Sequence, residues 1–355
     1  MEKKKILHVV EAFGGGIFSF FNDLVKYTED DFEIVIAYSM RKETPNDFKK
    51  YFSDKVKFIE VKNFARSINP IKDIKAFFEI KRIIKEEKPD IIHLHSSKAG
   101  FVGRFAANGK KVKMLYNPHG FSFLMKDSSK IKRALYWIIE KVGALRKCTI
   151  VGCSQGEYEE ALKLSKDSIC ISNGINIEKI EEETKNLKSK EIEFLNLKIC
   201  TSGRISYQKN PEMFNKIAEK FPNLQFTWIG EGELREKLTS PNIMVTGWKT
   251  RQEVLELVNQ NDVFILTSLW EGLPISLLEA MYMEKVCIVT NCIGNRDVIN
   301  HEENGFIIDG ENYIDIINNL EKEIYEKTSG NAKKSILEEF NTQRMAMEYK
   351  EEYLK

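Results

Sequence analysis

No run in the 355 residues approaches the roughly 18 consecutive apolar side chains that a membrane-spanning helix needs. Proline is scarce at 8 and glycine ordinary at 20, which excludes collagen-like and low-complexity chains. Neither charge dominates: 54 basic side chains meet 53 acidic ones, so nucleic acid is not an expected partner and there is no acidic tail. The six cysteines (148, 153, 170, 200, 287, 292) form no CxxC pair and no metal-ligand spacing. Reduced thiols in a cytoplasmic setting follow. The basic opening MEKKKILHVV runs straight into glycines and lacks the apolar region and cleavage site of a signal peptide.

What is present is alternation. Short apolar runs such as KILHVV (5–10), DIIHLH (90–95), LKICTSG (197–203) and DVFILTS (262–268) are separated by amphipathic stretches, among them 72–87, 129–146, 210–220 and 273–284. Strands apolar on both faces, interleaved with helices, predict parallel sheets covered by helices. The pattern occurs twice and the chain is too long for one core, so two Rossmann-like domains are expected. Their bounds are 1–180 and 190–338, with a closing helix at 340–355 returning to the first. The Lys/Glu-rich segment 178–193 marks the boundary. Residues 1–185 carry a net charge of +8 and residues 186–355 a net of −7. Ligands of such sheets sit beyond the carboxyl ends of the strands, so a cleft between the two sheets is the place to look for chemistry.

Glu271-Gly-Leu-Pro-Ile-Ser-Leu-Leu-Glu279 follows a strand and opens a helix. Pro274 suits a first helical turn, leaving the amides of Ile275, Ser276 and Leu277 directed at an anion. Carboxylates flanking that anion site, Glu271 and Glu279, are placed to accept hydrogen bonds from sugar hydroxyls. A second group, Gly203-Arg204 and Lys209-Asn210-Pro211, lies at another strand end, where two cations can neutralise a diphosphate. Gly14-Gly15-Gly16 sits between the first strand and a helix, where amides can approach a ligand closely. It is not GxGxxG, and no acidic residue closes the second strand, which disfavours an NAD oxidoreductase. His119 ends another strand and can donate to a sugar or steady a developing charge. His93 and His95 share a strand face, with no third ligand near in sequence, so no metal site is expected. In the helix around 129–147, Ile131, Leu135, Ile138, Val142 and Leu145 form a stripe read as core. Arg133, Trp137 and Lys141 form a separate basic row, suited to an anionic membrane surface.

Together these residues resemble retaining glycosyltransferases of family 4 with the GT-B fold. The carriers are the E-x7-E at 271–279, G-R-x4-K-N at 203–210, FTWIGEGELREKL (226–238), ISNGIN (171–176) and NPHGFSF (117–123). With DIIHLHSSKAGFVGR (90–104), the last resembles the branch that builds bacterial capsule, exopolysaccharide or O-antigen chains. The resemblance implies an α/β fold of two Rossmann-like domains with parallel sheets facing across a cleft. It implies a nucleotide-sugar donor, a UDP-sugar, held by the second domain, and a saccharide or lipid-linked saccharide acceptor. Arg204 and Lys209 would hold the diphosphate, Glu279 the ribose, Glu271 the donor sugar, and Gly15 and Gly16 would approach the phosphate. His119 would lie near the sugar. The anomeric configuration would be retained without a metal cofactor, in the cytoplasm or at the inner face of the cell membrane. Where the family often has A-x-G-x-P, this chain has Met283-Glu284-Lys285-Val286, and its glycine pair is Gly294-Asn295. A nucleotide-sugar 2-epimerase and a non-catalytic nucleotide-sugar-binding subunit are the competing readings.

Overall fold

The computed structural model describes residues 3–11, 13–40, 44–64, 69–187 and 191–355. Of the expected boundary segment 178–193, residues 188–190 lie outside the described residues. The chain divides into unit 1, Met1–Asn173 with Thr342–Lys355, and unit 2, Gly174–Asn341.

Unit 1 runs β1 (Lys5–Val10), α1 (Gly15–Thr28), β2 (Glu33–Tyr38), β3 (Lys57–Glu60), α2 (Pro70–Glu87), β4 (Ile91–His95), α3 (Ser97–Ala106), β5 (Lys113–Asn117), α4 (Lys130–Gly143), β6 (Thr149–Gly152), α5 (Gln155–Leu164) and β7 (Ser168–Cys170). Unit 2 contains α6 (Ile177–Thr184), β8 (Lys198–Ser202), α7 (Pro211–Lys220), β9 (Gln225–Ile229), β10 (Ile243–Val245), α8 (Arg251–Asn259), β11 (Val263–Leu266), α9 (Ile275–Tyr282), β12 (Val286–Thr290), β13 (Phe306–Ile308), α10 (Tyr313–Asn318) and α11 (Lys322–Glu338). The last helix, α12 (Thr342–Leu354), belongs to unit 1.

Both sheets are parallel throughout. Their orders are β3-β2-β1-β4-β5-β6-β7 and β10-β9-β8-β11-β12-β13. In each, strand order reverses about the first strand of the unit, β1 or β8. The crevices that favour ligands therefore open at the carboxyl ends of β1 and β4, and of β8 and β11.

Parallel strands are buried on both faces, so alternate residues enter different cores. In unit 1, Leu7, Val9, Ile92 and Leu94 pack with Ala76, Ile80 and Ile83 of α2. Ile6, Val10, Ile34 and Ile91 face the other way, against Phe21 and Leu24 of α1 and Met345, Tyr349 and Tyr353 of α12. By the same alternation, His8, His93 and His95 lie on that second face. In unit 2, Ile199, Trp228, Val263, Ile265 and Ile288 pack with Phe214 and Ile217 of α7.

Candidate functional site

Unit 2 gathers the motif residues at its crevice. After β8, Gly203 adopts φ +143° and its carbonyl accepts the indole N–H of Trp228 at 2.9 Å. Seven residues on, Asn210 takes a left-handed φ of +52°, and its side chain caps α7 by accepting from Met213. Asparagine tolerates that conformation and caps well, which explains its place beside Lys209. The Thr267 hydroxyl donates to the Lys209 carbonyl at 2.8 Å, fixing this loop to the end of β11.

The Lys209 Nζ then meets Glu271 Oε1 at 2.7 Å. Glu271 is buried, and it also accepts from the Ser268 hydroxyl at 2.6 Å and the Gln208 amide at 3.2 Å. Gly294, at φ +86°, backs the loop: a Cβ there would lie 2.7 Å from the Gly272 carbonyl oxygen and 2.8 Å from Glu271 Cβ. The second member of that expected pair, Asn295, is buried and donates from Nδ2 to the Thr290 carbonyl at 3.1 Å.

Pro274 caps α9 with extended geometry, and Ile275 begins the helix. The Leu277 amide is taken by the Pro274 carbonyl at 3.0 Å. The expected trio of outward amides is thereby reduced to two, Ile275 and Ser276, because the first turn closes on the proline carbonyl. Glu279 is buried and pairs with Arg251 Nη1, whose Nε reaches Glu183 at 3.0 Å. Burial pushes the Glu279 carboxyl up from its ordinary pKa, against the pull of the Arg251 guanidinium. Arg251 has no sequence motif around it; only the fold shows it as the partner of the second glutamate. Arg204 is half exposed and pairs with Glu233 at 3.0 Å. Lys209 and Glu271 are thus brought into contact, while Glu279 and Arg204 each hold other partners.

In unit 1, Gly15 and Gly16 are the first turn of α1 rather than a free loop, with Gly14 as N-cap. A Cβ on Gly16 would meet nothing within 4 Å. His119 sits at the end of β5 in a left-handed conformation, φ +53°, which a non-glycine residue seldom adopts. Its Nε2 contacts His95 Nδ1 at 3.1 Å, and His95 Nε2 contacts His8 Nδ1 at 3.2 Å. His8, His93 and His95 form a group of a size that could hold a metal ion. The third histidine, distant in sequence, arrives because β1 pairs with β4 in the register His8↔His93. The His93 nitrogens are already engaged, Nδ1 with the Tyr353 hydroxyl at 2.7 Å and Nε2 with Asn117 Oδ1 at 2.6 Å.

Helix α4 overturns one expectation. Its apolar stripe is not core: Ile131 is 84% exposed, Leu135 49%, Ile138 53% and Val142 41%, with Leu145 just beyond at 82%. The face turned inward carries Glu140, which pairs with the fully buried Arg104 of α3 at 2.7 Å and accepts from the Tyr116 hydroxyl at 2.8 Å. Gly143 makes room, since a Cβ there would lie 2.5 Å from the guanidinium carbon. A buried charge pair needs both partners, so it dictates which side of α4 faces the protein. Of the basic row, Arg133 donates to the Phe123 carbonyl at 2.8 Å and Lys141 to the Lys163 carbonyl at 2.9 Å. Both head groups therefore fold back onto the protein, while Trp137 stays exposed. Beside α4, a cavity of about 1030 Å³ is walled by Ile74 and Phe77 of α2, Phe101 and Phe105 of α3, and Tyr136 and Ile139 of α4. Among the described residues no helix is long and apolar enough to cross a membrane.

Two Rossmann-like units, the second with a cation–carboxylate site at its strand reversal, define the GT-B class of glycosyltransferases. Residues 14–179 match the family described as Glycosyltransferase Family 4, and residues 178–335 match Glycosyl transferases group 1. The chain is 31% identical over 334 residues to an Escherichia coli UDP-Gal:α-D-GlcNAc-diphosphoundecaprenol α-1,3-galactosyltransferase, covering 86% of this chain and 85% of that one. It is 24% identical over 326 residues to the capsular polysaccharide biosynthesis glycosyltransferase CapM of Staphylococcus aureus, covering 84% of each. In fold it is similar to Anabaena HepE, solved in complex with UDP and glucose, with a TM-score of 0.76 at 16% identity over 98% of this chain and 99% of that one. The chain belongs to this glycosyltransferase family.

Proposed function

We propose that the chain transfers a sugar from a UDP-sugar to a lipid-linked saccharide, with retention of configuration, in the assembly of a bacterial surface polysaccharide. The observation that carries this reading is the shielded pair of Lys209 and Glu271 at the β8/β11 crevice. A ligand entering there must give Lys209 an anion and Glu271 a hydrogen-bond donor, or it strands a charge. A sugar diphosphate offers both on adjacent groups: phosphate for the ammonium, hydroxyls for the carboxylate. In this reading Arg204, Lys209 and the amides of Ile275 and Ser276 stabilise the departing diphosphate, which takes the acceptor's proton. The chain's own cations, rather than a metal ion, carry that charge. Glu279 accepts from the ribose, beside the Arg251 guanidinium that favours its carboxylate form against burial. Gly15, Gly16 and His119 of unit 1 supply further donors.

The lipid-linked acceptor is supported by α4. An exposed apolar stripe edged by Lys130 and Lys132 suits the interface of an anionic membrane, and the neighbouring cavity suits an isoprenoid chain. Membrane contact is therefore assigned to Ile131, Leu135, Trp137, Ile138 and Val142, with Arg133 and Lys141 acting as struts. The chain would work in the cytoplasm, peripheral at the inner face of the cell membrane.

The test is transfer from UDP-, GDP- and ADP-sugars to a synthetic prenyl-diphosphate saccharide, with and without EDTA, the product's anomer read by NMR. We expect turnover with a UDP-sugar, indifferent to EDTA, and a fall in kcat of roughly 10²–10³ in Lys209→Ala. An inverted product, or equal turnover with the unlipidated saccharide, would sink the corresponding part of the reading.

A further inference from the structure

Three buried histidines of unit 1, His8, His93 and His95, are used by no step above. We propose that His8 and His95 are positioning residues that hold His119 as its Nδ1–H tautomer, making it a standing hydrogen-bond donor whose ligand atom must be an acceptor oxygen.

The inference follows from counting protons along the chain His8–His95–His119. In a neutral imidazole one nitrogen donates and the other accepts. The contacts run His8 Nδ1 to His95 Nε2 and His95 Nδ1 to His119 Nε2. Only two arrangements satisfy both. If His119 donates from Nε2, His95 must donate from Nε2 to His8 Nδ1, and the His8 proton is forced onto its own Nε2. That atom is buried with no partner, so an N–H would be stranded. If instead His8 donates from Nδ1, His95 donates from Nδ1 and His119 accepts at Nε2. Only a lone pair is then left unmet at His8. Stranded buried N–H groups are rarer than unmet acceptors, so the second arrangement prevails. It places the His119 proton on Nδ1, which has no protein partner among the described residues.

The surroundings keep the rings neutral. Burial lowers the pKa of His8 to about 3 and of His119 to about 4, and holds His95 well below the ordinary value. The groups facing the chain are Phe20 and Phe21 of α1, His93 of β4 and Tyr353 of α12, with Tyr349 of α12 behind them against Phe20 and His93. Glu157 of α5 accepts the Gly120 amide at 2.6 Å beside them. The His119 ring stacks on that of His95, 5.4 Å between centroids at 17°. His93 provides an internal reference of opposite tautomer. Asn117 donates from Nδ2 to the Tyr349 hydroxyl at 2.8 Å, so its Oδ1 must accept from His93 Nε2–H. A metal bound by His8, His93 and His95 would require these hydrogen bonds to break.

That the acceptor oxygen belongs to a sugar or a phosphate rests on the proposed function; the tautomer does not. The experiment is two-bond ¹H–¹⁵N correlation of the five histidines in the full chain at neutral pH, assigned with single substitutions. We expect His119 protonated at Nδ1 and His93 at Nε2. Protonation of His119 at Nε2, an even mixture, an imidazolium, or one equivalent of zinc retained after dialysis would each overturn the proposal. His95→Phe removes the donor, whereas His95→Asn keeps one near the Nδ1 position. In a folded His95→Phe, with the His93 signals as witness, His119 should become a tautomer mixture. The kcat should fall on the order of tenfold, the size of one lost neutral hydrogen bond, and His95→Asn should restore both the rate and the single tautomer. An unchanged His119 tautomer there would reduce His95 to a packing role. Should His95→Phe fail to fold, the unsubstituted chain's spectrum decides alone. Loss of transfer with every UDP-sugar would sink the functional reading and leave the tautomer measurement standing.

Discussion

Helices α4 and α9 each bury one glutamate against an arginine, and they differ in everything around it. Glu279 of α9 sits among Leu277, Leu278, Ala280, Met281 and Tyr282, all buried, and its partner Arg251 is one-third exposed and shared with Glu183. Glu140 of α4 faces the wholly buried Arg104, while the helix turns its apolar residues outward. Helix α9 is therefore a packed core element whose carboxylate shares its arginine with a second glutamate. Helix α4 is inverted, with a fixed ionic inner face and an exposed apolar outer one. The lesson is that an apolar stripe does not say which way it points. The polar residue that must be satisfied inside decides.

The comparison breaks most visibly if the inner pairs are equivalent. Glu140→Leu leaves Arg104 buried and uncompensated, so we expect unfolding free energy to fall by about 3–5 kcal/mol in urea titration. Restoring most of that with Arg104→Met in the same chain would confirm that the pair acts as a unit; no loss from Glu140→Leu would contradict the inverted-helix account. Next in size is the outer face. Ile131→Asp with Ile138→Asp removes two side chains worth about 1.5–3 kcal/mol each when buried, so affinity for anionic vesicles should drop by at least tenfold while the melting temperature holds. A large fall in melting temperature would mean the stripe is core after all. Smaller again is Glu279→Gln, which should weaken UDP-sugar binding about tenfold by calorimetry yet destabilise far less than Glu140→Leu, because Arg251 retains Glu183.

Much of the molecule was legible in its sequence, for physical reasons. Doubly apolar strands such as DIIHLH and DVFILTS, interleaved with amphipathic helices, signal a parallel sheet covered on both faces, and the strand-end motifs fell where such sheets favour ligands. The Lys209–Glu271 contact joins two motifs that were each recognisable alone. What escaped was long-range pairing. Arg251 carries no local signature, and His8 joins His93 and His95 only through the β1/β4 register. The direction of α4 is not written in its period, because a 3.6-residue repeat is the same for a core stripe and an exposed one. Arg104, 36 residues upstream of Glu140, held the answer, and Gly143 was its visible trace.

The two units should respond differently to acid. His8 and His119 have folded pKa values of about 3 and about 4, below the ordinary 6.5, and His93 and His95 are lowered too. The unfolded chain therefore binds more protons than the folded one as pH falls from 6.5, and unit 1 loses stability over that window. The slope is on the order of 1 kcal/mol per pH unit for each histidine. Glu157 of unit 1, raised by burial, acts in the opposite direction to the histidines. In unit 2 the one histidine, His301, is exposed. Glu279, also raised by burial, makes acidification mildly favourable to the fold there. Confining the experiment to pH 6.5 down to about 5 keeps carboxylates held low, such as Glu253 at about 2, from entering. Hydrogen exchange should then show the amides of β4 opening more readily at about pH 5 than at pH 6.5, while those of β11 change little. Equal opening of β4 and β11, or earlier opening of β11, would mean that the buried histidines do not set the acid sensitivity of unit 1.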